Sequence, residues 1–374
     1  MKFKKLSVKK SSELIENIDG FTDFLDTLKQ LIRVPSVIGY EHSFFLYLKR
    51  ELDELGIDTY YYDGLLVAQG KQPTNGILSA HIDRHGLVCT GPSEFQFAAF
   101  QTKNRIDLKG NSVSEQTYQQ ISSRFLNQPV QAYEPWSGSY LGIGKISKVY
   151  MNEKINNLMF KIDNLEHLLP GTPIAFVDKL EISDELISAQ LDNVLSAAII
   201  IYLYQHGFQG TAFFTAQEEA GRSWRFVLDW FRKNDVSTSE LLVLDTSPYN
   251  TREEASLQEI VLRNRDANAR FRSPLLKILK NFCHKNNINF SCKDTYIQEK
   301  NKILYENEKP LLSLGSTELG RIIKESKGKI QGTTLQIPTT GYHTVEETAS
   351  IKSVKSMLYM LKSLYIEERS DEKN

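Results

Sequence analysis

The segment Thr211-Ala212-Phe213-Phe214-Thr215-Ala216-Gln217-Glu218-Glu219 is a short apolar run that ends in two carboxylates. The run is predicted to be a β-strand, and the helical periodicity of the sequence on either side predicts helices over 194–205 and 223–233. Further helix-like and strand-like segments alternate in the same way along most of the chain. Such alternation favours an α/β fold, which we expect to be a three-layer α/β/α sandwich with a mainly mixed or parallel sheet.

The pattern changes between residues 91 and 186. Short apolar runs there alternate with Gly, Asn, Pro and Ser, and no long helical pattern is visible, so a small all-β insertion domain is predicted. The expected organisation is a catalytic domain made of 1–90 and 187–374, interrupted by a β-rich insertion over 91–186. A chain of 374 residues exceeds what one hydrophobic core usually serves, which agrees with two packing units.

The composition excludes several classes of protein. Lys plus Arg (45) nearly balances Asp plus Glu (46), so the basic excess typical of nucleic-acid-binding proteins is missing. The longest nearly apolar run, 194–204, is far shorter than the roughly 20 residues of a membrane-spanning helix. Three cysteines without a CxxC pair make a disulfide framework improbable, and the lysine-rich start is not followed by the apolar core of a signal peptide. We therefore expect a cytoplasmic protein.

Three of the predicted strands run into acidic or histidine side chains. The strand at 77–80 precedes His81 and Asp83, the strand quoted above precedes Glu218 and Glu219, and the strand at 241–244 precedes Asp245. Each feature alone has an ordinary explanation as a turn residue or a helix cap. In an open α/β sheet, however, the carboxyl ends of several strands meet in one crevice. Asp192 lies between two of these strand ends in the sequence, and His343 follows all of them. With both included, the side chains form a mixed nitrogen and oxygen ligand set suited to Zn²⁺, Co²⁺ or Mn²⁺. The candidate ligands are His81, Asp192, Glu219, Asp245 and His343.

Three neighbouring carboxylates suggest roles beside such a centre. Asp83 lies two residues from His81, on the same side of an extended chain, where it could accept the second ring N–H of that histidine. Glu218 precedes a proposed ligand and could take a proton from water. Asp192 precedes an apolar helix, so capping of that helix is one explanation of its position. The alternative is that its carboxylate is shared by two cations, which would make the site dinuclear.

Five motifs in order resemble those of the glutamyl/tetrahedral (TET) aminopeptidases, a family of dinuclear metallopeptidases. They are Ala80-His81-Ile82-Asp83, Leu191-Asp192-Asn193, Ala216-Gln217-Glu218-Glu219-Ala220-Gly221, Asp245, and Gly341-Tyr342-His343. The resemblance covers nearly the whole chain, including a β insertion of the expected size. One departure is Gly315-Ser316-Thr317-Glu318, which carries Glu where that family usually has a Thr-Asp pair.

The resemblance implies two divalent ions per subunit, Zn²⁺ first and Co²⁺ or Mn²⁺ as alternatives. One ion would be held by His81, Asp192 and Glu219, and the other by Asp192, Asp245 and His343. It also implies that Glu218 is the general base, that Asp83 orients His81, and that the Asp192–Asn193 peptide is cis. Relatives build dimers into larger shells, often of twelve subunits, with the β insertion as an assembly surface. A homo-oligomer with a peptide substrate is therefore expected.

The sequence thus predicts a metal-dependent aminopeptidase that removes N-terminal residues from peptides. A carboxypeptidase or N-acyl amino acid deacylase on the same scaffold is an alternative, and it would bind the substrate carboxylate with an arginine. A non-catalytic binding protein is a second alternative, which the complete ligand set disfavours. His85 lies near the expected site and is interpreted as structural, with contact to substrate as the alternative. The arginine candidates are Arg222, Arg225, Arg263 and Arg265.

Overall fold

The computed structural model describes residues 8–102, 113–165, 167–177 and 179–367. The helices are α1 (Val8–Glu16), α2 (Phe21–Arg33), α3 (His42–Glu54), α4 (Ala98–Thr102), α5 (Glu115–Phe125), α6 (Val194–Gln205), α7 (Ser223–Lys233), α8 (Arg252–Ser256), α9 (Pro274–Asn286), α10 (Lys293–Glu306), α11 (Glu318–Glu325) and α12 (Ile351–Lys362). The strands are β1 (Asp58–Tyr62), β2 (Leu65–Gln69), β3 (Ile77–His81), β4 (Leu87–Gly91), β5 (Glu94–Phe97), β6 (Pro129–Tyr133), β7 (Tyr140–Asn152), β8 (Asn157–Asp163), β9 (Pro173–Phe176), β10 (Glu181–Ile182), β11 (Leu186–Ala189), β12 (Thr211–Thr215), β13 (Thr238–Pro248), β14 (Ile260–Leu262), β15 (Phe290–Cys292), β16 (Ile330–Thr340) and β17 (Glu347–Ser350).

The larger unit is a mixed sheet with helices packed against it. Within the described residues the sheet has 11 strands, and its main path is β1-β2-β12-β3-β13-β16-β17-β11-β10. The centre is parallel: β3 lies between β12 and β13, and β13 pairs with β16. The flanking strands are antiparallel. The prediction of an α/β fold with a mixed sheet is confirmed.

The two faces of the sheet contribute to different apolar cores. Leu66 and Ala68 of β2 belong to a cluster that includes buried residues of α2, α3, α6, α9 and α12. Leu65 and Val67 of the same strand belong to a second cluster with α7 and α11. This division follows from the alternation of side chains along a strand. α6 has no polar face and is buried along its length, as expected for a helix that is apolar all round.

The second unit is a closed six-stranded barrel in the order β4-β5-β8-β7-β6-β9. Its strands span residues 87–176, whereas β10 and β11 return to the large sheet. The barrel has its own core, built around Phe95, Phe125 and Phe160. The expectation of an insertion without helices was wrong, because α5 packs on this barrel. α5 contributes only Ile121 and Phe125 as buried apolar residues, too few to give a helical hydrophobic period.

Most other predicted elements lie where the sequence placed them, and α6, β12 and α7 have the predicted bounds. The polar helix α10 was not predicted, because its sequence has little amphipathic periodicity. In the part of the chain that the structure describes, no helix combines the length and the apolar character needed to cross a membrane.

Candidate metal centre

The candidate ligands meet where the central parallel strands approach their carboxyl ends. His81 is the last residue of β3, and Glu218 and Glu219 follow the end of β12. Asp245 lies within β13, which continues to Pro248 rather than ending at residue 244 as predicted. Because β12, β3 and β13 are parallel neighbours, side chains from three distant parts of the sequence face one crevice.

The other two candidate ligands lie in loops. Asp192 lies between β11 and α6, next to Asn193, the N-cap residue of α6. The Asn193 side-chain amide donates to the carbonyl of Leu244, which ties this loop to β13 (2.9 Å). The helix N-terminus favours the negative charge of Asp192. His343 lies between β16 and β17.

His81 forms a first cluster with two carboxylates. Its Nε2 atom lies 3.2 Å from Oδ1 of Asp192 and 3.6 Å from Oδ1 of Asp245. One ligand atom from each of the three residues lies within 4.8 Å of the others, so a single cation fits between them. Imidazole and carboxylate ligands of this kind suit Zn²⁺, Co²⁺ or Mn²⁺.

A second cluster lies on the other side of Asp192. Nε2 of His343 is 2.9 Å from Oε1 of Glu219 and 3.5 Å from Oδ2 of Asp192. His85 completes this cluster, with its Nε2 atom 3.1 Å from Oε2 of Glu219. Asp192 thus directs one oxygen to each cluster, the arrangement of a carboxylate that bridges two cations.

These contacts favour a different division of the ligands from the one that the resemblance implies. His81 was expected to share an ion with Glu219, and Asp245 with His343. Apart from their contacts with the shared Asp192, His81 lies 3.6 Å from Asp245 and His343 lies 2.9 Å from Glu219. Strand order alone does not decide this division, because β3 is a direct neighbour of both β12 and β13. The loop after β16 decides it, because this loop brings His343 to Glu219.

Glu218 and Glu219 have opposite electrostatic surroundings. Burial raises the pKa of Glu218 well above its ordinary value, and the charges of Glu219 and Asp245 add to this rise against the opposing effect of His81. The pKa of Glu219 lies well below its ordinary value, because His343 and His85 outweigh the effect of burial. Glu218 also forms a group with His81 and Glu219 in which one ligand atom from each lies within 4.8 Å of the others. A proton-accepting carboxylate therefore stands beside the clusters.

Two buried carboxylates hold the ligand loops through backbone amides. Asp83 accepts the N–H groups of Glu218 (2.9 Å) and Glu219 (3.0 Å). Glu347, which the sequence analysis did not single out, accepts the N–H groups of Asp192 (2.8 Å) and His343 (2.6 Å). Each carboxylate uses both oxygens: Asp83 holds the segment after β12, and Glu347 joins the loop of Asp192 to the loop of His343. In the sequence, the only indication that Glu347 has this role is that it lies close to His343.

Asp83 also faces His81, as predicted, but at a longer range than a hydrogen bond. Its Oδ1 atom lies 3.6 Å from Nδ1 of His81, the ring nitrogen opposite the one that faces Asp192. The direction is therefore the one expected of a residue that orients a ligand histidine. Asp245 has a comparable neighbour in Gln336, whose side-chain amide donates to it at 3.4 Å.

The backbone of the ligand loops takes uncommon conformations. The Asp192–Asn193 peptide bond is cis, as the resemblance implies. Gln217 and His343 both have left-handed φ values, 60° and 59°, which side chains with a Cβ atom seldom adopt. A left-handed φ at a residue with a Cβ atom costs on the order of 1–3 kcal/mol and is often found at active sites. The backbone hydrogen bonds that Asp83 and Glu347 accept hold these loops in place.

The chemistry of this donor set fits divalent cations. Among the described residues, the buried atoms without a hydrogen-bond partner include Oδ1 of Asp192 and Nε2 of His343. Burial opposes a charged His343, but Glu219 and Asp192 raise its pKa to about 10. The carboxylates therefore attract positive charge strongly. Unpaired buried charge is unfavourable in proteins, and coordinated cations would neutralise it.

A cavity of about 240 Å³ opens from the clusters and contains two buried cationic side chains. Arg263 donates to Gln336 (3.0 Å) and to the carbonyl of Leu314 (2.8 Å), and it is 7% exposed. Lys293 is 6% exposed, donates to the carbonyl of Pro248, and lies over the ring of Tyr249. Within the described residues, neither cation lies within 4.0 Å of a carboxylate oxygen. An anionic group of a ligand would complete this part of the cavity.

The four arginines proposed for carboxylate binding differ in their position relative to the candidate ligands: one lines the cavity and three do not. Arg263 alone among them lines the cavity beside the clusters. Arg222 precedes α7 and donates to Gln217, and Arg225 lies over the ring of Trp224. Arg265 pairs through its backbone with Arg270. Arg124 was missed, because it lies on the unpredicted helix α5; it reaches the site over the ring of Tyr342.

No protein-family model and no curated protein matches the chain. Solved structures are similar over nearly its whole length. The TET1 peptidase of Pyrococcus horikoshii, which can assemble into a tetrahedron or a large octahedral shell, has a TM-score of 0.63 at 17% identity. The similarity covers 92% of this chain and 99% of that one.

Two further structures extend this comparison. The TET aminopeptidase of a Thaumarchaeota archaeon from marine sediment has a TM-score of 0.68 at 14% identity, over 93% of this chain and 97% of that one. A protein of Thermotoga maritima described as an endoglucanase has a TM-score of 0.61 at 15% identity, over 91% and 97%. Identities this low are evidence of shared architecture, so activity must be argued from the site. The chain has the fold of the TET aminopeptidases.

Proposed function

We propose that this chain is a dinuclear metal-dependent aminopeptidase that hydrolyses N-terminal residues from peptides. The observation that carries the proposal is the pair of ligand clusters that share Asp192, with Glu218 beside them. The similar structures include proteins described as TET peptidases and aminopeptidases, which supports a peptide substrate. The contacts favour one ion at His81, Asp192 and Asp245 and a second at Asp192, Glu219 and His343.

Two cations at these ligands would supply Lewis-acid polarisation of the scissile carbonyl and would lower the pKa of a water molecule, with Zn²⁺ favoured over Co²⁺ or Mn²⁺. Glu218 accepts the proton of the attacking water and passes it to the leaving amine. Its raised pKa suits this role, because such a carboxylate binds a transferred proton more readily than an ordinary glutamate does. Asp83 and Glu347 act as positioning residues through the backbone amides of the ligands.

The cavity supports recognition of a substrate carboxylate. Arg263 and Lys293 line the same cavity as His81 and Glu218. An acidic N-terminal residue would place its side-chain carboxylate between the two cations. Its free amino group would face the carboxylates of the clusters, which favour a positive charge.

The same two cations favour a second candidate function. A carboxypeptidase or an N-acyl amino acid deacylase would use Arg263 and Lys293 to bind the α-carboxylate of its substrate. The glycoside hydrolysis suggested by the endoglucanase description of one similar structure is less well supported. Glycosidases act through two carboxylates without a need for histidine ligands, whereas each cluster here contains histidine.

The test combines metal analysis with substrate classes. The purified protein should bind two divalent ions per chain, and it should hydrolyse aminoacyl-nitroanilides, with those of Glu and Asp as the best substrates. Removal of the ions by a chelator should abolish activity, and their return should restore it. Preferential hydrolysis of N-acyl amino acids would instead establish the second candidate, and activity on carboxymethyl-cellulose alone would contradict both.

We further propose a homo-oligomer built from dimers, such as a dodecamer, that works in the cytoplasm, with the barrel as the assembly surface. Similar structures of the TET type form a dodecamer, a tetrahedron or a larger shell, which supports assembly. The exposed apolar residues of the barrel give the assembly a physical cause. They include Trp136, Tyr140, Leu141 and Ile143.

A further inference from the structure

We infer that His85 is an additional protein ligand of the ion bound by Glu219 and His343, so that this ion has two imidazole ligands and the other has one. The inference rests on the proposed dinuclear centre. Neither the motif resemblance nor the expected ligand set includes His85. It follows from where the chain places this side chain.

The His85 ring is buried and directed at the second cluster. It is 8% exposed, and its Nε2 atom lies 3.1 Å from Oε2 of Glu219. Its ring centroid lies 4.1 Å from that of His343, at an interplanar angle of 63°. One ligand atom from each of His85, Glu219 and His343 lies within 4.8 Å of the others.

The protein itself does not satisfy the polar atoms of this ring. Within the described part of the chain, both ring nitrogens of His85 are buried without a hydrogen-bond partner. Its Nε2 atom is close to Glu219 but not in the orientation of a hydrogen bond. Burial of an unsatisfied polar group is unfavourable, and a purely apolar side chain would avoid this cost. The ring therefore indicates a ligand that is not part of the protein.

The distances agree with a shared cation. Two ligand atoms bound to one Zn²⁺ at about 2.1 Å, with angles between 90° and 110°, lie about 3.0–3.4 Å apart. The contacts of Glu219 with His85 (3.1 Å) and His343 (2.9 Å) are close to this range. The contact between His81 and Asp192 in the first cluster is similar, at 3.2 Å.

Packing fixes the direction of the His85 side chain. Its ring is stacked on Phe97 of the barrel, with centroids 5.4 Å apart and an interplanar angle of 20°. Its carbonyl accepts a hydrogen bond from the side chain of Gln190 at 3.0 Å. The backbone and the ring are therefore both held, as the ligand of a preorganised site requires.

The additional imidazole should make the two sites unequal. The first cluster has one imidazole and two carboxylates, whereas the second would have two of each. Imidazole ligands favour Zn²⁺ over ions such as Mn²⁺ and Mg²⁺, which prefer oxygen. The ion at Glu219 should therefore bind more tightly and leave last.

The experiment compares the wild-type protein with His85→Leu and with the control Phe97→Leu. Leucine keeps the apolar packing at position 85 without a ligand atom, and the control removes the stacked ring but leaves the imidazole. We expect two sites in all three proteins by Zn²⁺ titration against a competing chelator. The tighter affinity should fall at least about 10-fold in His85→Leu and change little in Phe97→Leu.

X-ray absorption on protein with one equivalent of Zn²⁺ distinguishes ligation from positioning. Ligation requires two imidazoles per zinc in the wild type and one in His85→Leu. One imidazole in both proteins, with or without a loss of affinity, would overturn the inference, and so would equal affinities in all three proteins. A wild-type protein that binds no divalent ion would overturn the proposed function as well.

Discussion

At the scale of single residues, the difference between Glu218 and Glu219 is the one that the chemistry depends on. The two are neighbours in sequence, yet Glu219 contacts two histidines whereas burial and nearby carboxylates raise the pKa of Glu218. A ligand must stay ionised, and a base must exchange a proton. The different environments of the two residues suit Glu219 to the role of ligand and Glu218 to the role of base.

We expect Glu218→Gln to keep both ions while kcat falls by about 10²–10⁴-fold, the usual range for a lost general base. Glu219→Gln should lose metal as well as activity, because it removes an anionic ligand. Metal content and kcat measured on both variants at equal protein concentration test this. Loss of metal from Glu218→Gln, or near-normal turnover, would show that Glu218 is not the base.

Lys293 makes the stability of the protein depend on pH. Burial, together with the charge of Arg263, lowers its pKa from 10.5 to about 7, although Glu254 opposes this. Between these values the unfolded chain binds a proton that the folded chain does not. The free energy of unfolding therefore rises with pH across this window. The destabilisation caused by burying the charged form of Lys293 is fully present below pH 7.

We expect the stability of the wild type relative to Lys293→Met to increase from pH 7 to pH 10, by up to about 1.4 kcal/mol per pH unit. Methionine keeps the apolar stem but cannot be protonated. Denaturant unfolding of both proteins at several pH values, under identical metal conditions, measures the difference. A difference that is independent of pH would mean that the Lys293 pKa is not lowered.

At the scale of elements, Glu318 connects α11 to the centre of the sheet. Its carboxylate accepts the hydroxyl of Ser79 in β3 at 2.7 Å and that of Thr215 in β12 at 2.8 Å. The residue is 3% exposed and lies in the first turn of α11, where the helix dipole favours a negative charge. The Glu that departs from the usual motif thus has a structural role, next to the strands that carry His81 and Glu218.

We expect Glu318→Ala to lower the free energy of unfolding by about 2–4 kcal/mol, because two buried hydroxyl groups lose their acceptor. Glu325→Ala, at an exposed position of the same helix, is the matched control and should change stability by less than about 0.5 kcal/mol. Denaturant unfolding measures both. Equal effects of the two substitutions would contradict the proposed role of Glu318.

At the scale of the whole molecule, the barrel presents an apolar surface to solvent. Trp136 is 67% exposed, and Leu141 and Ile143 are about half exposed. Large exposed apolar groups typically mark sites of association. The homo-oligomer proposed above would cover these side chains.

We expect light scattering to report a mass that is a multiple of 42.8 kDa. The double variant Leu141→Glu/Ile143→Glu places charges on the apolar surface and should reduce this mass, while circular dichroism stays unchanged. A monomeric wild type would contradict the proposed homo-oligomer. An unchanged mass in the double variant would place the interface elsewhere.

The sequence by itself determined the elements with strong hydrophobic patterns and the residues that follow them. α6, β12 and α7 could be located to the residue, because an apolar helix, an apolar strand and an amphipathic helix follow one another with clear breaks. The same patterns identified His81, Glu219 and Asp245 as side chains near strand ends. These are local properties, set by the period of side chains along the chain.

The tertiary structure alone decided which of these side chains meet. The order of strands in the sheet places β3 beside β13, which brings His81 to Asp245, and the loop after β16 brings His343 to Glu219. The direction of His85 and the backbone contacts of Glu347 depend on packing between distant elements in the same way. Pairing across a sheet is a matter of spatial neighbours, and local periodicity carries no information about which strands become neighbours.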